Sequence, residues 1–261
     1  MHSPPSWLIV PAPNRAARLR LFCFPYAGAG ASVFASWPRA LPSDLELCAV
    51  QMPGREGRLS EPPITRWDMA VERLAGALLP WMDRPFALFG HSLGAVLAFE
   101  LACRLRRDRQ AGLVHLFVSG RPAPHLPHDE PPTYTQPKAQ FLREVSRWAA
   151  TPKEVLQDDE IIEMFLPLLR ADFGLSETHS CQSDVPLAVP ISAYGGIDDE
   201  HAPPITVEEW RAHTTASFRR VTFPGGHFFL NENRAAVLSQ LAGELRSIIA
   251  RPTVSSQPTT F

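Results

Sequence analysis

The chain has 261 residues, 45% of them hydrophobic and 20% charged, with a net charge of −2. It is long enough for one substantial core, and its near-neutral balance excludes the basic footprint of a nucleic-acid binder or of a protein held on an anionic membrane. Cys23, Cys48, Cys103 and Cys181 stand far apart with no C-x-x-C; the first three lie in apolar segments and read as buried free thiols of a cytoplasmic protein.

Residues 1–17 are Pro-rich and are expected to form a flexible N-terminal segment. Met1 to Pro13 has neither the basic start nor the continuous apolar run of a secretory leader, and no stretch approaches a membrane span. Residues 19–24 predict a strand that ends in Pro25-Tyr26-Ala27-Gly28-Ala29-Gly30. Small residues there suit a backbone turned toward a ligand, or simply a tight loop. A short helix is expected over 32–41 and a second strand over 45–51, followed by Met52-Pro53-Gly54-Arg55-Glu56. Residues 67–82 carry a helical pattern through Met69, Val71, Leu74, Leu78 and Leu79.

The most informative stretch comes next. Residues 86–89 are wholly apolar, as in a central strand buried on both faces. Gly90-His91-Ser92-Leu93-Gly94 follows, and then a helical pattern over 93–106. G-x-S-x-G alone recurs by chance in about one chain in ten of this length. A strand turning through it into a helix, however, is the context of a nucleophile elbow. The glycines allow a turn in which any Cβ would clash, which would leave the Ser92 hydroxyl exposed at its tip. Arg104, Arg106, Arg107 and Arg109 complement the dipole at the helix end.

A strand over 113–119 precedes an insertion, residues 125–185, with helical stretches at 137–149 and 159–173 and no convincing strand. An insertion of this size in an alternating chain reads as a lid. Strands at 188–194 and 218–223 flank a helix at 204–215. The latter strand runs into Pro224-Gly225-Gly226-His227, and a last helix covers 232–250. Residues 251–261 are Pro/Ser/Thr-rich and are expected to be a disordered tail. Six strands alternating with helices predict an α/β fold with a doubly wound, mainly parallel sheet, one domain over 18–250.

In such a sheet the loops at the carboxyl ends of the strands share one crevice. Three of them carry Ser92, Asp198 or Asp199, and His227, the chain order of an α/β-hydrolase triad. A serine hydroxyl needs a neutral imidazole to take its proton, and a carboxylate to hold that imidazole's tautomer. The spacing Gly196-x-x-Asp199 favours Asp199 over its neighbour, which would then be a turn residue. The oxyanion hole would use the backbone N–H of Leu93 and that of Ala27, or of Tyr26. His91 should point away from Ser92 and support by packing or hydrogen bonding. His115 reads as structural, and His125, His128, His179, His201 and His213 as solvated.

The set Phe24-Pro25-Tyr26-Ala27-Gly28, Gln51-Met52-Pro53-Gly54-Arg55-Glu56, Gly90-His91-Ser92-Leu93-Gly94 and Gly225-Gly226-His227-Phe228-Phe229-Leu230 resembles type II thioesterases, over about residues 19–250. These are free-standing α/β-hydrolases associated with polyketide synthases and nonribosomal peptide synthetases. Two departures are Ala27-Gly28-Ala29-Gly30, where many relatives have adjacent glycines, and the doubled Asp198-Asp199. The resemblance implies hydrolysis of acyl groups from the phosphopantetheine arm of acyl or peptidyl carrier protein domains, removing aberrant or stalled chains. It further implies a metal-free cytoplasmic enzyme with no cofactor of its own, expected to be a monomer. The insertion would then form an apolar chamber, with Phe165, Leu169 and Phe173 against the acyl group. Lys138, Arg143, Arg147 and Lys153 would be either rim contacts to an acidic carrier or a merely solvated face.

Overall fold

The computed structural model describes residues 7–127, 131–147, 158–181 and 185–251. Its strands are β1 (Leu8–Ile9), β2 (Leu19–Phe24), β3 (Leu45–Val50), β4 (Phe86–His91), β5 (Leu113–Ser119), β6 (Ile191–Gly196) and β7 (Phe218–Phe223). They form one sheet in the order β1-β3-β2-β4-β5-β6-β7. From β2 to β7 every pairing is parallel. The chain moves from β2 to β3 in one direction and then crosses back to β4, so the carboxyl ends of β2 and β4 flank the point where the winding reverses. Ligands of open parallel sheets bind at such a point.

Period-2 alternation sends the central strands' side chains into two cores. Phe22, Phe24, Phe86 and Leu88 face helices α1 (Trp67–Leu78) and α2 (Leu93–Arg107). Leu21, Cys23, Ala87 and Phe89 face the other side, against the last helix. The insertion expected to be a lid contributes helices α3 (Lys138–Arg147) and α4 (Asp159–Glu177), which follow β5 and pack through Phe141, Val145, Leu169 and Phe173 into a small cluster of their own. Beyond β6 come α5 (Pro204–Glu208), α6 (Phe229–Glu232) and α7 (Arg234–Ile249). Among the described residues no helix is long and apolar enough to cross a membrane.

Several local expectations are corrected. The segment 1–17 contributes β1, antiparallel to β3 with Leu8 opposite Val50. Leu8 is buried against the core, and burying one such side chain contributes about 2 kcal/mol. The helix expected over 32–41 is two 3-10 turns, Ala31–Phe34 and Trp37–Ala40; Pro38, with no N–H to donate, suits only the start of the second. Likewise 204–215 divides into α5 and a 3-10 turn at Glu209–His213. β6 starts at Ile191 rather than 188, after Pro190, and runs through Gly195 and Gly196. A Cβ on Gly196 would lie 2.4 Å from the Gly226 carbonyl, so the strand's end can abut the loop after β7 only as glycine. Trp148, Lys153 and the tail beyond Arg251 lie outside the described residues.

Two histidines expected to be solvated are instead partners in buried contacts. His213 packs edge-on to Phe99 and Trp210, with Nε2 2.8 Å from His125 Nδ1. His179 Nε2 lies 2.8 Å from Glu100 Oε1. His115, structural as expected, stacks on Phe117 with Nε2 2.9 Å from Ser192 Oγ. Burial lowers the His115 pKa to about 4, against the opposing charge of Glu244; burial, then the nearby His125, lowers that of His213 to about 4. Both are therefore neutral in the fold and charged in the unfolded chain between about pH 4 and 6.5, where the unfolded state binds more protons. Stability should fall as pH drops through that window, by at most about 1.4 kcal/mol per pH unit for each imidazole. Urea midpoints at about pH 7.5 and about pH 5 measure this loss, and His115→Gln should make it smaller.

Candidate active site

The turn after β4 is dictated by close packing. Ser92 has φ 54° and ψ −117°, a strained backbone for a residue with a side chain. The strain is imposed from both sides. A Cβ on Gly90 would come 2.0 Å from the Gly94 carbonyl oxygen, and one on Gly94 would come 2.1 Å from that of Phe24. Strand, helix and the end of β2 thus meet backbone to backbone. The Ser92 N–H donates to the Ser119 carbonyl at 2.8 Å, and the Ser92 carbonyl accepts from Ala95 at 3.0 Å. Ser92 is 7% exposed, and Leu93 opens α2 directly after it.

The loop after β6 distinguishes the two adjacent acids. Asp199 is buried, while Asp198 is exposed. Asp199 Oδ2 lies 2.9 Å from His227 Nδ1, and its Oδ1 accepts from the N–H groups of His201 and Ala202, both at 3.0 Å. Burial pushes this carboxyl's pKa up, but the bond and charge of His227 together with the two N–H donors outweigh it, so the pKa sits below the usual value. An ionised carboxylate only accepts, so His227 Nδ1 carries the proton, and in the neutral ring Nε2 is the unprotonated nitrogen. Asp198 is engaged through its backbone, its N–H donating to the Gly225 carbonyl.

His91 lies beneath this pair, as the turn geometry implies. Its Nδ1 is 2.9 Å from Ser119 Oγ, and its ring centroid is 5.2 Å from that of His227. Tyr26, Phe228 and Phe229 pack around it. Burial, followed by the charge of His227, drives its pKa down to about 3, so it stays neutral beside the base.

Ser92 and His227 line one cavity of about 130 Å³ with Tyr26, Ala27, His201 and Phe228. A larger groove of about 840 Å³ lies at the amino ends of the strands, among Leu19, Pro85, Leu113 and Pro190. It contains none of the candidate catalytic groups, so the smaller cavity is the candidate site. Of the lid residues, Leu169 and Phe173 line it and Phe165 does not; Phe165 packs within the lid cluster. Nor is the lining wholly apolar, because Arg121, Glu144, Arg147 and Glu177 share it. Arg121 donates to the Ser176 hydroxyl and carbonyl at 2.7 and 2.8 Å. Of the proposed rim cations, Lys138 is paired with Glu163 at 2.6 Å and Arg143 is exposed.

Sequence reasoning did not single out Asp172 or assign a role to Arg55. Their guanidinium and carboxylate form a buried two-bond pair at 2.9 and 2.8 Å. A signal existed: Asp172 stands one helical turn after Leu168 and Leu169, on the buried face of α4, where an unpaired acid would be costly. His201, expected to be solvated, is exposed but borders the cavity, its ring 5.7 Å from that of His227.

A thioesterase domain profile matches residues 19–245. The chain is 41% identical over 244 residues to the gramicidin S biosynthesis protein GrsT of Aneurinibacillus migulanus, covering 94% of this chain and 95% of that one. Among solved structures, the RedJ thioesterase from the prodiginine pathway of Streptomyces coelicolor superposes with TM-score 0.81 at 38% identity, over 89% of this chain and 90% of its own. BorB, the type II thioesterase from the borrelidin biosynthetic cluster, superposes with TM-score 0.83 at 33% identity, over 95% of this chain and 100% of its own.

The elbow makes a direct prediction. Gly94→Ala should lower folding stability by about 3 kcal/mol, because the backbone it meets cannot yield as a side chain would. The exposed helical Gly76, where an added methyl would meet nothing within 4 Å, is the control: Gly76→Ala should be neutral or stabilising by up to about 1 kcal/mol. Denaturant midpoints of the two variants decide it.

Proposed function

The chain belongs to the thioesterase domain family and has its α/β-hydrolase fold, and we propose that it removes acyl groups from the phosphopantetheine arm of acyl or peptidyl carrier protein domains. In this reading it is a cytoplasmic editing enzyme of a polyketide synthase or nonribosomal peptide synthetase, clearing aberrant or stalled chains with no cofactor of its own. The observation that carries the reading is the strained Ser92 sharing a cavity with an imidazole already oriented by a buried carboxylate.

The reaction runs in two halves. Ser92 Oγ attacks the thioester carbonyl as His227 Nε2 takes its proton, and Asp199 stabilises the resulting imidazolium. The negative charge on the tetrahedral oxygen falls to the N–H groups of Ala27 and Leu93, fixed in place before the reaction begins. Collapse breaks the C–S bond, and His227 returns the proton to the departing pantetheine thiolate. Water, deprotonated by the same imidazole, then attacks the acyl-serine; the acyl–Oγ bond breaks, His227 returns that proton to Ser92 Oγ, and the free acid leaves. A thioester has less resonance stabilisation and a better leaving group than an amide, so this apparatus suffices without a metal. Leu169 and Phe173 supply the apolar wall for the acyl group, and Arg147 stands at the lid side of the cavity.

Ser92→Ala should retain binding of acyl carrier protein and lose nearly all turnover, since the triad acts as a unit. Asp199→Asn should reduce kcat by about 10⁴-fold, as the equivalent exchange does in serine proteases, by permitting the wrong tautomer of His227. Asp198→Asn should remain close to the parent enzyme. Steady-state release of free thiol from acyl carrier protein reads all three, and a reversed order of the two aspartate variants would make Asp198 the triad acid.

A further inference from the structure

The loop that follows β2 is held in a specific turn. Ala29 N–H donates to the Tyr26 carbonyl at 3.0 Å, closing a four-residue turn over Tyr26-Ala27-Gly28-Ala29. Gly28, its third residue, has φ +77°, as a type II turn demands. Types I and II differ by a flip of the central peptide, here the one joining Ala27 to Gly28. In this structure that peptide's N–H is engaged from the lid: Gly28 N–H donates to Asp172 Oδ2 at 2.7 Å. The preceding peptide, which carries the Tyr26 carbonyl and the Ala27 N–H, is fixed by the closing bond from Ala29. Arg55 completes the brace. It grips both oxygens of Asp172 and donates to the Ala29 carbonyl at 3.0 Å.

Both charges are almost fully buried, with side-chain exposures of 3% for Arg55 and 0% for Asp172. Folding stability alone gives little reason for such a pair, because well-packed apolar residues of similar volume often serve as well or better. Its particular property is where it lies. Asp172 is one turn along α4 from Leu169, which lines the cavity, so one face of the lid helix reaches both the substrate space and the oxyanion loop. Resting on the thioesterase reading above, we propose that Asp172 and Arg55 are positioning residues: by holding the Gly28 N–H and the Ala29 carbonyl they keep this turn closed and anchored, and with it the Ala27 N–H aimed at the developing oxyanion. Docking of the lid and assembly of the oxyanion hole are thereby one event. Arg55 also neutralises Asp172, whose charge would otherwise oppose the oxyanion.

The test pairs Arg55→Met with Asp172→Leu in one variant, removing both charges together so that neither is left buried alone. The expected result is a kcat lower by about 10²-fold, the scale of one lost oxyanion donor, with KM for acyl carrier protein unchanged. Affinity for an acyl-pantetheine trifluoromethyl ketone, which Ser92 converts to a tetrahedral oxyanion, should fall in parallel. Affinity for the unreactive acyl thioether should hold. Parental kcat and ketone affinity in the double variant overturn the proposal, as does an equal loss of ketone and thioether binding. Should the double variant not fold, Arg55→Lys keeps the charge and loses the two-pronged grip. It should lower ketone affinity about 10-fold with the thioether unaffected, and parental ketone affinity there overturns the proposal equally. Turnover by the unmodified enzyme is measured alongside: its absence defeats the thioesterase reading itself, whereas its presence with unaffected variants defeats only the brace.

Discussion

Backbone contact at the turn after β4 governs the rest of the molecule. Gly94 lies against the Phe24 carbonyl so closely that a methyl group would sit 2.1 Å from it. That contact joins three elements in one place: the strand that ends at His91, the helix that begins at Leu93 and the loop that leaves β2. Because the helix is pressed onto the β2 end, Ser92 is driven to positive φ and its side chain to the cavity. Because the same contact brings the β2 loop alongside, Ala27 and Ser92 line one cavity. The reversal of winding between β2 and β4 leaves that space open above the sheet.

Electrostatics then assign different roles to groups of similar intrinsic acidity. His227 and His91 have ring centroids 5.2 Å apart, yet only His227 is bonded to a carboxylate; His91, wholly buried, is held neutral with its pKa at about 3. A second positive charge there would raise the cost of the imidazolium that the proposed mechanism places on His227. Asp199 is buried yet remains an easily ionised acid, because three donors converge on its two oxygens. The candidate site thus holds one imidazole bonded to a carboxylate, one carboxyl kept easily ionised and one neutral packing imidazole, set by surroundings rather than by residue type.

The lid serves as more than a cover. Its inner face is part apolar, through Leu169 and Phe173, and part charged, through Asp172, which touches the loop expected to bind the oxyanion. On the proposed reading, substrate contact and oxyanion geometry are tied to the same helix, so catalysis would depend on closure, which would limit hydrolysis of thioesters that do not fill the chamber.

The alternation of strand and helix, the elbow and the order of the triad-type residues could be read from the sequence because each rests on local physics. Apolar runs fix strands over a few residues, and a turn that tolerates no Cβ announces itself as glycine at 90 and 94. Family likeness was legible in the same way, through short motifs in a fixed order. What local pattern could not decide was which groups meet across the sheet. Asp198 and Asp199 are equivalent in composition, and only the packing of the β6 end against the β7 loop directs one toward His227 and leaves the other in solvent. His213 looked like a surface residue until Phe99 and Trp210 closed around it. Leu8 and Ile9 are too short a run to be a strand without β3 beside them. Arg55 and Asp172 are separated by 117 positions, so their pairing exists only once the lid is folded onto the sheet, where burial makes any other arrangement of the two charges prohibitive.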